Sequence, residues 1–224
     1  MEKEIIISAE KISRSYEDKH IFTGLDLSVL KNDKILLTGD NGSGKTTLLK
    51  LLAAQLTTEN GKILYNGKQL KFKDIKNIVS FLPSDPPPLF PRMTGLENLK
   101  LYHSLSLKNL SYENKRLETQ HFKKLLNNWC DHLYIFKESI EMPSYKCSMG
   151  MKQIISIFRA LSRNCSIYIL DEPFQSLSQE TITFVLSSLA SQFKDKVFII
   201  SSHQKIDETF FNRTLKLKDG ELCV

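Results

Sequence analysis

Residues 39–47 read Gly-Asp-Asn-Gly-Ser-Gly-Lys-Thr-Thr, and no other stretch restricts the architecture of this chain so strongly. The run fits the pattern G-x-x-x-x-G-K-[ST], whose context should be a strand before it and a helix after it. Both are present. Residues 34–38 are a short apolar strand signal, and Leu48, Leu49, Leu52 and Leu56 recur at helical spacing, predicting a helix over 45–55. The residue types have a physical reason. Gly39, Gly42 and Gly44 let the backbone curl so that successive N–H groups point inward and cradle phosphate oxygens. Asp40, Asn41, Ser43 and Thr47 complete the loop and the first turn of a helix whose N-terminal dipole favours an anion. Lys45 supplies a point charge for the outer phosphates of a nucleotide, and Thr46 a hydroxyl ligand for Mg²⁺.

A second half-site lies about 130 residues further on. Residues 166–173 read Ser-Ile-Tyr-Ile-Leu-Asp-Glu-Pro, an apolar strand that ends in two acids before Pro173 stops its pairing. A carboxylate at a strand end is placed at the rim of a parallel sheet, where ligands bind. Asp171 is expected to hold Mg²⁺, directly or through water, and Glu172 to polarise an attacking water.

Around these two segments, strand and helix signals alternate. Strands are predicted at 4–9, 21–29, 63–65 and 77–82, with an Asn66-Gly67 turn. From Pro83 the texture changes. Pro83, Pro86, Pro87, Pro88 and Pro91 break the chain, and residues 84–151 read as an inserted helical subdomain, with a capping box at Thr94 and Glu97 and a helix over 113–129. Strands at 166–170, 196–201 and 213–218 and helices at 179–192 and 205–211 follow. Residues 1–83 and 152–224 therefore form an α/β core, a largely parallel sheet with helices on both faces. The chain has 224 residues, 41% of them hydrophobic, which suffices for one large domain with a subdomain. Apolar runs such as 167–170 are far below the ~20 residues of a membrane helix. The N-terminus has no secretion-signal pattern, so a cytosolic protein is expected. Four scattered cysteines fit reduced structural thiols, and a net charge of +6 selects no partner because Lys and Arg are spread along the chain.

A phosphate loop alone could belong to a kinase, a GTPase or a helicase. Residues 147–153, Cys-Ser-Met-Gly-Met-Lys-Gln, followed by Phe158-Arg159-Ala160-Leu161 and then Asp171-Glu172-Pro173, resemble the ABC-type signature L-S-G-G-Q, A-R-A-L, D-E-P. His203 sits where that family has its switch histidine, and Tyr16 where it has the aromatic that stacks on adenine. The resemblance runs from about residue 10 to residue 220 with the landmarks in order. It implies a P-loop NTPase fold of ABC ATPase type, with N-terminal antiparallel strands beside the parallel core. It further implies ATP and Mg²⁺, and two nucleotide-binding subunits, as a homodimer or a heterodimer, that sandwich ATP head to tail. Lys45, Glu172 and His203 would be the catalytic set, Thr46, Asp171 and the residue at Ser84 the metal set, and Ser148 and Gly150 would meet the partner's nucleotide. The inserted subdomain would contact a separate membrane-spanning permease from the cytoplasmic face of the membrane. No nucleic acid is expected.

Three positions depart from the family pattern. Ser84 stands where a glutamine usually touches Mg²⁺ and the attacking water, Met149 replaces the first signature glycine, and Ser178 replaces an aspartate that helps communication across the dimer. Residues 93–103, 171–174 and 202–204 resemble the small cassette of the cytochrome c maturation (heme) exporter, with a general drug or lipid exporter as the alternative. The rival function is a soluble ATP-gated clamp on ribosomes or DNA. Such clamps usually carry two cassettes or a long coiled-coil insertion, and residues 84–151 show no sustained heptads.

Overall fold

A computed structural model describes residues 4–16, 19–108, 110–204 and 206–223. The chain opens with β1 (Ile5–Tyr16), β2 (Lys19–Leu30), β3 (Lys34–Thr38), α1 (Lys45–Leu52) and β4 (Asn60–Tyr65). Strands β2, β1 and β4 form an antiparallel sheet in that order. Ile7, Ala9 and Val29 are buried and their neighbours half-buried or exposed, the alternation of a sheet covered on one face. Both β1 and β2 extend beyond the alternating stretches. Lys11 adopts a left-handed φ of 49° and the pairing register shifts after Ala9, so the period-two signal is lost while the strand continues.

The second sheet adds β5 (Val79–Leu82), β6 (Ile167–Asp171), β7 (Val197–Ser201), β8 (Arg213–Lys218) and β9 (Glu221–Cys223), in the order β5-β6-β7-β3-β8-β9. Every pairing is parallel except β8 with β9. All residues of β6 and β7 are buried, which explains why they read as continuous apolar runs rather than alternating ones. β9 is a strand the sequence does not announce. It returns through Asp219 and Gly220, both at positive φ (48° and 82°), the two-residue turn that Asp-Gly favours.

Other boundaries also differ from expectation. α1 stops at Leu52 because Ala54 takes a left-handed φ of 54°, with Ala54 N–H donating to the Leu51 carbonyl and Gln55 N–H to that of Lys50. That closure is a Schellman motif, here without its usual glycine. Asn77 and Ile78 belong not to a strand but to α2 (Phe72–Ile78), which buries Ile75. Of 205–211 only Glu208–Phe210 winds, as one 3₁₀ turn capped by the Asp207 side chain; residue 205 lies outside the described residues.

The chain divides into two units. One is Met1–Ser84 with Cys165–Pro173 and Leu186–Val224; the other is Asp85–Asn164 with Phe174–Val185. The second holds α3 (Gly95–Ser106), α4 (Tyr112–His132), α5 (Tyr134–Glu141) and α6 (Met149–Leu161); α7 (Gln179–Gln192) supplies residues to both. The capping box at Thr94 and Glu97 is formed in both directions. Asn98 is fully buried and ties the proline-rich segment to α3: its Oδ1 accepts the Phe90 N–H at 2.7 Å and its Nδ2 reaches the Met93 carbonyl at 3.3 Å. Trp129 packs edge-on against Phe136 and Phe158, with ring centroids 5.3 and 5.4 Å away. Trp129→Ala should cost about 3–5 kcal/mol, because this fully buried ring leaves a cavity that several rigid aromatics cannot close. Denaturant unfolding checks it; a loss below about 1 kcal/mol would mean that the cluster repacks.

Candidate active site

Strand β3 is buried along most of its length and delivers the chain to the loop at the C-terminal rim of the sheet. Two of the loop glycines have no substitute. Gly39 has φ 144°, and a Cβ there would lie 2.3 Å from the Leu217 carbonyl oxygen; Gly44 has φ 103°, and its Cβ would lie 2.5 Å from Ile21 Cγ2. Gly44 is also the N-cap of α1 and makes no side-chain capping bond, so the first N–H groups of that helix remain available to an anion. Ser43 Oγ is buried with no hydrogen-bond partner among the described residues. Lys45 is 7% exposed, and its ammonium donates to the carbonyls of Gly39 (2.7 Å) and Asp40 (3.1 Å), which holds the charge over the curl of the loop. A cavity of about 580 Å³ lined by Gly39, Asp40, Asn41 and His203 opens on one side of the loop. Another of about 350 Å³, lined by His20, Asn41, Gly42 and Ser43, opens beside it.

Strand β6 brings its two acids to the same rim. Thr46 Oγ1 donates to Asp171 Oδ2 at 2.7 Å, joining segments 125 residues apart. Asp171 is fully buried, and its other oxygen accepts the Ser201 hydroxyl at 2.7 Å. Two hard oxygens at this separation fit one edge of a Mg²⁺ octahedron, where ligands at 2.0–2.1 Å lie about 2.9 Å apart. Water and phosphate oxygens would complete such a shell, so the small number of protein ligands is in keeping with this ion. Glu172 has a left-handed φ of 48°, uncommon for a residue with a long side chain. The turn aims its carboxylate at His203, whose Nδ1 lies 2.8 Å and whose backbone N–H lies 3.3 Å from Glu172 Oε2. A carboxylate oxygen only accepts, so the imidazole hydrogen is on Nδ1 and Nε2 is left for another partner.

Tyr16 ends β1, 43% exposed, with the Arg14 guanidinium 5.0 Å from its ring centroid. Ser84 is half-buried two residues beyond β5 and makes no hydrogen bond to Thr46 or Asp171 among the described residues. Ser148 caps α6, its hydroxyl accepting the Met151 N–H at 3.2 Å. Gly150 has a local reason to be glycine: a Cβ would stand 2.6 Å from the Ser176 carbonyl oxygen. Met149 between them is 70% exposed, a large apolar side chain open to solvent. One residue of the site is not singled out by sequence reasoning. Ser201 links both acids, and its signal is the single hydroxyl that ends the apolar run 197–200.

A family model described as ABC transporter matches residues 22–175, well over half of the chain. The chain belongs to the ABC transporter family. The match covers the phosphate loop, the segment from Ser148 to Gly150 and both acids. Among relatives of this ABC protein, the ribose import ATP-binding protein RbsA of Bacillus subtilis is 26% identical over 96% of this chain and 43% of its own length. The galactose/methyl galactoside import ATP-binding protein MglA of Clostridium tetani is 28% identical over 93% of this chain and 41% of its own. The chain thus spans less than half the length of these relatives. Solved structures share the fold: an ATP-binding subunit of an ABC transporter superposes with a TM-score of 0.80 at 22% identity, covering 98% of this chain and 88% of that one. An ATP-binding cassette dimer in a post-hydrolysis state with ADP and Pi superposes at 0.74 with 19% identity, covering 97% of this chain and 96% of that one. The architecture is that of the ABC ATPase, a P-loop NTPase fold with its antiparallel N-terminal sheet. Among the described residues no helix is long and apolar enough to cross a membrane.

Proposed function

We propose that this chain hydrolyses ATP and powers transport through a separate membrane-spanning permease. The observation that carries the reading is the convergence at one sheet rim of Lys45, the Thr46–Asp171 pair and the Glu172–His203 pair. In this reading the backbone N–H groups of residues 42–46 and the Lys45 ammonium bind the β- and γ-phosphates. Thr46 and Asp171 would hold Mg²⁺, whose charge would offset that of the phosphates. Glu172 accepts a proton from the attacking water as its oxygen bonds to the γ-phosphorus, and the bond to the bridging oxygen of ADP breaks. His203 holds the Glu172 carboxylate through Nδ1 and presents Nε2 toward the transferred phosphoryl group. Adenine stacks on Tyr16, and Ser84 contributes to the metal shell through water.

Ser148 and Gly150 have no nucleotide of their own in this scheme and serve that of a second subunit, identical or different. The helical segment 84–151 faces the permease on the cytoplasmic side of the membrane. The finer reading, an exporter-type cassette of the cytochrome c maturation kind, rests on the short segments 93–103, 171–174 and 202–204. Against it stand RbsA and MglA, both named as import proteins.

Because two copies build each site, the isolated chain should be a slow ATPase. Its rate should rise with the square of protein concentration at low concentration. Turnover strictly proportional to concentration, under dilution to the monomer, would show that no second subunit is needed.

A further inference from the structure

We infer that Ser201 is a positioning residue that sets the Mg²⁺ ligand and the general base together through one hydroxyl. This rests on the reading of the site as an ATPase. The cause lies in strand register. β7 pairs in parallel with β6 on one side and β3 on the other, and its last residue, Ser201, is opposite Asp171 in one pairing and opposite Leu37 in the other. Residues in register on neighbouring strands project to the same face, so a short side chain here meets the acid that ends β6. Ser201 also stands on the strand next to β3, which runs straight into the phosphate loop.

The hydroxyl is used in both directions. It donates to Asp171 Oδ1 at 2.7 Å and accepts the Glu172 backbone N–H at 2.8 Å, with Ser201 wholly buried. Asp171 is thereby prevented from turning about its last side-chain bond, and its second oxygen is directed at Thr46. Glu172 is fixed in its left-handed backbone conformation, which is what sends the carboxylate toward His203. The preceding residues of β7, Val197, Phe198, Ile199 and Ile200, are all apolar and buried. Ser201 is thus a polar exception at the one position of the strand that touches both acids. An alanine there would leave a buried carboxylate oxygen and a buried N–H without their partner, and both acids free to drift. Hydrogen-bond partners of this kind typically change metal affinity or activity by about 10–100-fold when removed.

The test compares the parental chain with Ser201→Ala and Ser201→Thr. For Ser201→Ala, kcat should fall about 10–100-fold, the Mg²⁺ concentration for half-maximal rate should rise by about 10-fold, and KM for ATP should stay within about 3-fold. Binding of a fluorescent ATP analogue in EDTA should match the parent, since the phosphate loop is untouched. Ser201→Thr, which keeps the hydroxyl on a strand-compatible side chain, should restore kcat and the Mg²⁺ response to within about 3-fold. If Ser201→Ala does not fold, Ser201→Cys takes its place, with similar volume and a much weaker donor. A folded Ala or Cys variant with parental kcat and Mg²⁺ response, in a chain that does hydrolyse ATP, overturns this inference alone. Loss of Mg-free binding in step with kcat also overturns it, showing general loosening. A parental chain that neither binds nor hydrolyses ATP overturns the functional reading and the inference with it.

Discussion

Glu172→Gln is expected to slow ATP turnover by at least ~100-fold, about 2.7 kcal/mol of barrier, while leaving ATP affinity close to that of the parent. The substitution keeps the length and shape of the side chain. Its amide oxygen can still accept the Nδ1–H of His203, which lies 2.8 Å from the carboxylate oxygen it replaces. The backbone bond from residue 172 to Ser201 does not involve the side chain, so the left-handed turn is retained. What is lost is a group able to take a proton from water. Because the γ-phosphate holds the sandwich closed in this scheme, the variant should accumulate as an ATP-bound dimer. Gel filtration with Mg-ATP and a turnover assay read the two consequences separately. A parental rate would remove Glu172 from the role of base. A slow variant that stays monomeric would keep the base and remove the sandwich.

The parts of this site that are legible in the sequence are the local ones. The loop 39–47 is contiguous, and its glycines, lysine and threonine carry their geometry in sequence. The acids at 171 and 172 are recognisable because a buried strand rarely ends in two carboxylates without a reason. Thr46 and Asp171 are paired in the sequence as expected metal ligands, and their side chains do meet in a hydrogen bond although they lie 125 positions apart. Ser201 is not legible in the same way. Its role depends on which residue of β6 it opposes, and register is a property of the assembled sheet. The same holds for α1, where Ala54 takes the left-handed position that a glycine would have advertised. It also holds for β1, whose irregular pairing erases the alternation beyond Ala9. Gly150 carries two constraints in one residue. The signature resemblance reads it as a phosphate contact, while the Ser176 carbonyl leaves no room for a Cβ. A Gly150→Ala phenotype therefore does not by itself report on nucleotide contact, whereas the exposed Ser148 hydroxyl can be changed without such a clash.

Lys45→Ala is expected to remove most nucleotide binding, and all measurable turnover, from a chain that still folds. The lysine is 7% exposed, and a buried ammonium can be a structural element, so the two roles must be weighed by magnitude. Its structural contribution is two hydrogen bonds to the carbonyls of Gly39 and Asp40, within six residues of itself. Gly39 and Asp40 both line the larger cavity beside the loop, so water can replace the ammonium once it is gone. The loss in stability is then about 1 kcal/mol, a shift of roughly 2–4 °C in melting temperature for a chain of this size. Toward a bound nucleotide the same ammonium makes charge-assisted contacts with the β- and γ-phosphates, worth about 2–4 kcal/mol together, or roughly 30- to 1000-fold in affinity. The functional loss therefore exceeds the structural one. Thermal melts without nucleotide and titration with a fluorescent ATP analogue separate them. A large drop in melting temperature without ATP would make Lys45 a structural residue. Parental affinity in a well-folded variant would remove it from the phosphate site.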